Sequence, residues 1–164
     1  NIENFLVAPE PLIQKEFSRI MSLKDGLKKM SKSEASDMSR INLSDTEDQI
    51  INKIKKAKTD PLPMPTEIKD LDKRPEARNL LGIYSSLKNV DLGKSVNEFS
   101  GKNFSEFKEN LAQVIVDKIF PLSLEIKKLL NEKGYLDKIL KEGAQKANDI
   151  ASNKIKEIHK IMGF

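Results

Sequence analysis

Hydrophobic positions recur at helical spacing over most of the chain, from Ser44 to Met162. Ser44-Asp45-Thr46-Glu47 predicts a capping box, with serine accepting from the third helical amide and Glu47 reaching back. Ile50, Ile54 and Ala57 mark the inner stripe of the helix that follows, with Ile51 beside it. Lys53, Lys55, Lys56 and Lys58 crowd its last turns, where the helix dipole favours cations. Their plain reading is a solvated basic end; the functional one is a phosphate-facing patch. Asp60-Pro61-Leu62-Pro63-Met64-Pro65 stops that helix and predicts a stiff extended connector.

A second helix is expected over Arg74 to Leu87, with Pro75 at its first helical position and Ala77, Leu80, Leu81, Tyr84 and Leu87 inward. A short helix follows over Ser95 to Ser100, ended by Gly101. Asn103 or Ser105 caps a long helix reaching Asn131, with Phe107, Leu111, Val114, Ile115 and Ile119 on one face. Pro121 lies inside it and predicts a kink. Leu122, Ile126, Leu129 and Leu130 continue the stripe, and Gly134 ends it. The last helix, Tyr135 to Met162, carries a stripe of Leu136, Leu140, Gly143, Ala147, Ile150, Ala151, Ile155, Ile158 and Met162. The fold class is therefore mainly α, with a helical bundle over 44–164.

The first 43 residues have a different texture. Pro9 and Pro11 make Asn1 to Gln14 an extended connection. Phe17 to Leu23 is short and loosely alternating, as a strand is. Lys24 to Leu43 is polar, serine-rich and aperiodic, and predicts a mobile loop after the strand's carboxyl end. The chain opens at Asn1 without an initiator methionine, and its first segment reads as the middle of a longer protein.

Composition narrows the chemistry. The 164 residues are 38% hydrophobic and 33% charged, enough for one core under solvated helical faces. With 29 basic and 25 acidic residues the formal charge is +4, which permits a local phosphate-binding patch without demanding nucleic acid. No cysteine is present, so disulfides, cysteine metal sites and a cysteine nucleophile are excluded. No apolar run is long enough to span a membrane. No Ser-His-Asp set, metal cluster or paired acid/base carboxylates stands out. The single histidine, His159, reads as plain surface.

Lys29-Met30-Ser31-Lys32-Ser33 is the stretch with chemical content. Two ammonium groups three residues apart can neutralise phosphate oxygens, while serine hydroxyls and backbone N–H groups hydrogen-bond them. Around it stand Arg19-Ile20-Met21-Ser22-Leu23-Lys24-Asp25-Gly26, Ser39-Arg40-Ile41-Asn42-Leu43, Ala57-Lys58-Thr59-Asp60 and Arg74-Pro75-Glu76-Ala77-Arg78-Asn79-Leu80. Phe99-Ser100-Gly101-Lys102 and Gly134-Tyr135-Leu136 follow. In this order and spacing the chain resembles the C-terminal half of the bacterial tryptophanyl-tRNA synthetases, class I aminoacyl-tRNA synthetases with a KMSKS loop. The resemblance covers nearly all 164 residues. One departure is Glu34-Ala35, where the family usually has Asp-Pro; losing the proline would loosen the loop.

The resemblance implies a tryptophan–tRNA ligase that forms tryptophanyl-adenylate from ATP with Mg2+ and passes tryptophan to its tRNA in the cytoplasm, as a homodimer. Lys32 and Lys29 would be the catalytic lysines, stabilising charge on the departing pyrophosphate. Ser31 and Ser33 would bind phosphate oxygens, and Met30 and Ile20 would lie beside the nucleotide. No metal ligand is expected among the side chains. Residues 1–43 would be the last parallel strand and loop of a Rossmann-type catalytic domain, and 44–164 the helical tRNA-binding domain. Lys138, Lys141, Lys146, Lys154 and Lys156 are candidates for an exposed basic face. The His-x-Gly-His motif and the tryptophan-recognition residues belong to a first half that this sequence does not contain, so the stretch alone is expected to be inactive. The alternative is a non-catalytic helical RNA-binding or regulatory paralogue.

Overall fold

Thr46 is the N-cap of the first helix, α1 (Glu47–Lys55). Its hydroxyl accepts from the Gln49 amide at 3.3 Å, and the Gln49 side chain accepts from the Thr46 amide at 2.8 Å. The cap expected at Ser44 and Glu47 is thus displaced by two residues. The reason lies in Asp45, whose carboxylate accepts from the Asn42 amide at 2.9 Å and from buried Lys53 at 2.7 Å, and so holds the chain out of the helix.

The computed structural model describes residues 5–13 and 17–163. The extended connection expected over Asn1 to Gln14 lies outside the described residues at 1–4 and at Gln14. Over the described residues the protein is mainly helical. After β1 (Met21–Ser22) and β2 (Asp25–Lys29) come a 3-10 turn at Asp37–Ser39, α1, and a second 3-10 turn at Ile68–Lys73. Then follow α2 (Pro75–Lys88), α3 (Leu92–Phe99), α4 (Phe104–Asn131) and α5 (Lys133–Met162). Among them no helix is long and apolar enough to cross a membrane.

The amino-terminal strand departs from its expectation. Only Met21 and Ser22 are strand, and they pair antiparallel with β2 in an irregular register that sets Met21 opposite Lys29 and Ser22 opposite Asp25. A partner three residues downstream closes a hairpin at small entropic cost, whereas a parallel partner requires a long crossover. The stretch Lys24–Leu43, expected as a mobile loop, therefore begins with a strand and contains a 3-10 turn.

Two compact units divide the chain, meeting in sequence at Phe120 and Pro121. In the first, Ile50, Ile54, Leu71, Leu80, Leu81, Phe107 and Leu111 are buried around an aromatic trio. The Tyr84 and Phe99 rings stand edge-on at 5.0 Å, and Phe99 and Phe107 at 4.8 Å. Tyr84 donates to Glu98 at 2.9 Å, and burial together with that carboxylate pushes its phenol up to about 12. The helix α2 ends at Asn89 in the left-handed conformation, φ 54°, which asparagine tolerates. The next helix, α3, begins earlier than Ser95 because Asp91 caps it, accepting from the Gly93 amide at 2.7 Å. The proline connector is tied down at Met64, which donates its amide to the Lys102 carbonyl at 2.8 Å, and at Asp60, which holds Arg74 in a two-point ion pair.

The second unit holds the end of α4 and all of α5. The helix α4 continues through Pro121, and the break comes at Glu132, so Gly134 lies inside α5 instead of ending α4. The apolar stripe of α5 is uncovered in this chain: none of its described residues is buried, and Leu140 and Ile150 are 69% and 77% exposed.

Candidate functional site

The hairpin delivers the Lys29–Ser33 loop. Lys29 closes β2, and the Met30 amide donates to the Ile20 carbonyl at 3.0 Å, which sets those two residues side by side. Both are half-buried and line an apolar hollow of about 220 Å³ with Ile41, Ile83, Leu87 and Ile115. Lys29 and Lys32 are exposed. Their neighbour Lys28 lies 3.9 Å from Asp25, but among the described residues neither Lys29 nor Lys32 forms an ion pair. Ser31 Oγ and Ser33 Oγ are 2.8 Å apart, and the Ser33 amide donates to Ser31 Oγ at 3.3 Å. The loop thus offers two uncommitted ammonium groups beside two converging hydroxyls. That donor set suits a phosphate chain.

The loop is held from behind by charge. The Arg40 guanidinium donates through Nη1 to the Glu34 carbonyl at 2.9 Å and the Ser31 carbonyl at 3.5 Å. Its Nη2 lies 3.0 Å from Asp37, and its Nε donates to Asn42 at 3.2 Å. Asp37 in turn receives Lys53 of α1 at 2.6 Å. Hydrogen bonds from Lys53 and then Asn42 hold the Asp37 carboxyl below the usual carboxylate range. Lys53 is 3% exposed and also reaches Asp45 at 2.7 Å. Glu34, next to Ala35, where the missing proline was expected to loosen the loop, is tied at its carbonyl by Arg40 and at its amide to the Ser31 carbonyl at 3.4 Å.

The hairpin itself is clamped to the helices. The Leu23 amide donates to the Ser39 carbonyl at 2.9 Å, and the Leu23 carbonyl accepts from the Lys58 amide at 2.7 Å. The Lys58 ammonium pairs with Glu76 at 2.8 Å, which lowers the Glu76 carboxyl and raises the Lys58 ammonium. Asn79 of α2 bonds both backbone atoms of Met21. Gly26 abuts the start of α2: a β-carbon there would lie 2.6 Å from the Glu76 nitrogen. The basic end of α1 is accordingly not one patch. Lys53 is buried between two aspartates, whereas Lys58 is exposed but paired with Glu76, and Lys55 and Lys56 are exposed as expected.

Sequence reasoning brought Lys29, Met30, Ser31, Lys32, Ser33 and Ile20 to one place, and the structure sets them on one hairpin and its loop. It did not foresee the partners of Arg40, Asp37, Asp45, Lys53 and Asn79. One signal was available: Lys53 falls between Ile50 and Ile54 on the inner stripe of α1, where a charge requires partners. His159 and the five candidate lysines Lys138, Lys141, Lys146, Lys154 and Lys156 are exposed on α5. Among the described residues no group of three or more His, Cys, Asp or Glu side chains is placed to hold a metal ion.

Comparison with known proteins gives the loop its setting. The sequence model of the tRNA synthetases class I (W and Y) matches residues 2–154. A tryptophan–tRNA ligase of Mesorhizobium japonicum is 43% identical over 163 residues, 99% of this chain and 46% of the relative. One from Rickettsia felis is 48% identical over 162 residues, again 99% of this chain and 48% of the relative. The chain spans about half the length of the curated relatives it matches. The crystal structure of tryptophanyl-tRNA synthetase from Mycoplasma pneumoniae superposes with a TM-score of 0.74 at 24% identity, covering 92% of this chain and 45% of the other, and so shares its fold. With a family match over nearly its whole length, the chain belongs to the tRNA synthetases class I (W and Y).

Proposed function

We propose that this chain is the C-terminal portion of a tryptophan–tRNA ligase, in which it supplies the loop that closes on ATP and a helical tRNA-binding domain. The observation that carries the reading is the Lys29–Ser33 loop: two exposed lysines without ion-pair partners among the described residues, beside serine hydroxyls 2.8 Å apart. In this reading residues 1–43 complete a Rossmann-type catalytic domain and residues 44–164 form the tRNA-binding domain. The complete protein acts in the cytoplasm as a homodimer on tryptophan, ATP and tryptophan tRNA.

Adenylate formation joins the tryptophan carboxylate to the α-phosphorus and releases pyrophosphate. The bond that breaks joins the α-phosphorus to the oxygen bridging it to the β-phosphorus, and negative charge grows on that oxygen as pyrophosphate leaves. Lys32, seconded by Lys29, stabilises that charge more than the ground state, and a cation aimed there accelerates the step. Ser31 and Ser33 hydrogen-bond the phosphate oxygens, and Met30 and Ile20 present an apolar edge to the nucleotide. Magnesium enters with ATP, held by phosphate oxygens.

The test is tryptophan-dependent ATP–pyrophosphate exchange by the complete protein, with tyrosine as control. Exchange with tryptophan supports the ligase. Exchange with tyrosine alone moves the chain to the tyrosine branch of the family. No exchange with either amino acid leaves the non-catalytic RNA-binding paralogue.

A further inference from the structure

We infer that Arg40 is a positioning residue for the Lys29–Ser33 loop, and that the buried ammonium of Lys53 is the post on which it is set. The inference rests on the functional reading above only for its kinetic consequence.

Arg40 reaches the loop's main chain from the far side of the 3-10 turn at Asp37–Ser39. It binds the carbonyls of Ser31 and Glu34, which bracket Lys32 and Ser33, and so determines how tightly the chain turns between them. Its other donors are taken by Asp37 and Asn42. Four acceptor groups in different directions require a planar, multi-donor cation; a lysine ammonium could satisfy only part of the set. Arg40 is itself oriented: the Asp37 oxygen opposite it belongs to a carboxylate whose second oxygen is 2.6 Å from Lys53. Lys53 cannot swing away, being 3% exposed on α1 and anchored to Asp45 as well. A continuous path of charge-assisted bonds therefore joins the rigid helix α1 to the two carbonyls that shape the loop.

The charges within this path balance. Arg40 and Lys53 face Asp37 and Asp45, two against two. The network adds no net charge to the loop, which leaves Lys29 and Lys32 to set the potential a phosphate chain meets. Arg40 acts on geometry, and its loss should alter where Lys32 points without removing a cation from the phosphate-facing side.

The experiment uses the complete protein, as wild type, Arg40→Met and Arg40→Lys. Amide hydrogen exchange is followed over residues 29–36, with residues 75–88 of α2 as the internal reference. In both variants exchange over 29–36 should accelerate by about tenfold or more while α2 keeps its protection, the lysine variant being the milder. In ATP–pyrophosphate exchange, kcat should fall by about tenfold or more with KM for tryptophan within about twofold of wild type, since loop placement acts on the transition state. Unchanged exchange over 29–36 overturns the inference. So does a parallel loss of protection in the loop and α2 in both variants, which would make Arg40 a general stability residue. If the wild type catalyses no pyrophosphate exchange, the functional reading fails and the hydrogen-exchange comparison still decides the role of Arg40.

Discussion

Asn79 holds Met21 as a neighbouring strand would: Asn79 Oδ1 accepts from the Met21 amide at 2.9 Å, and Asn79 Nδ2 donates to the Met21 carbonyl at 2.9 Å. The two residues are 58 apart in sequence, and Asn79 is 5% exposed. One edge of the short hairpin is thus satisfied by a helix side chain. The loop that carries Lys29 and Lys32 consequently takes its position from the helical core.

Asn79→Leu should destabilise the protein by about 2 kcal/mol, because it strands one donor and one acceptor in a half-buried site. Asn79→Asp keeps the acceptor but sets a buried carboxylate oxygen against the Met21 carbonyl, and should destabilise at least as much as Asn79→Leu. Urea denaturation of the three proteins checks the order. Equal stabilities would mean that water replaces the amide without loss.

Lys53→Met leaves Asp45 buried without its cation and should cost about 3–5 kcal/mol. Adding Asp45→Asn to Lys53→Met should recover part of that loss, since the uncompensated charge is then gone. A double-mutant cycle by thermal melting measures the coupling. Additive losses would show that the two side chains do not act as a pair.

The Lys58–Glu76 pair gives stability a defined pH window. The Glu76 carboxyl is lowered from its ordinary 4.5, so its contribution is present above that value and is lost as pH falls through the lower folded value. The Lys58 ammonium is raised from 10.5, so its contribution is present below that value and is lost as pH rises through the higher folded one. The stability difference between wild type and Glu76→Gln should therefore be flat through neutral pH and shrink at both extremes. Denaturation at a series of pH values reads it directly; a difference that grows in acid would contradict the assignment.

Lys32→Ala in the complete protein should lower kcat for tryptophan-dependent pyrophosphate exchange by about 10²–10³ while tryptophan affinity stays within about twofold, as loss of a transition-state cation does. Tryptophan binding is measured separately by equilibrium titration. Equal losses in rate and affinity would assign Lys32 to substrate binding instead.

What the sequence determined by itself was local. The helices over 75–88, 104–131 and 133–162 were legible within a few residues, because their apolar periodicity and caps are properties of contiguous chain. The lysine-serine loop was legible because its chemistry lies in five consecutive residues. Tertiary structure decided whatever depends on partners that no local periodicity marks. Whether Phe17–Leu23 makes a longer strand or only the Met21–Ser22 edge of a hairpin depends on Asp25–Lys29 and on Asn79, and the second of these no local pattern announces. Lys53 reads as one of four solvated lysines until Asp37 and Asp45 fold over it. Arg40 is an ordinary loop arginine until its guanidinium meets the carbonyls of Ser31 and Glu34. Periodicity says which face of a helix is apolar; only the folded chain says what covers it, and along α5 none of the described residues is fully covered.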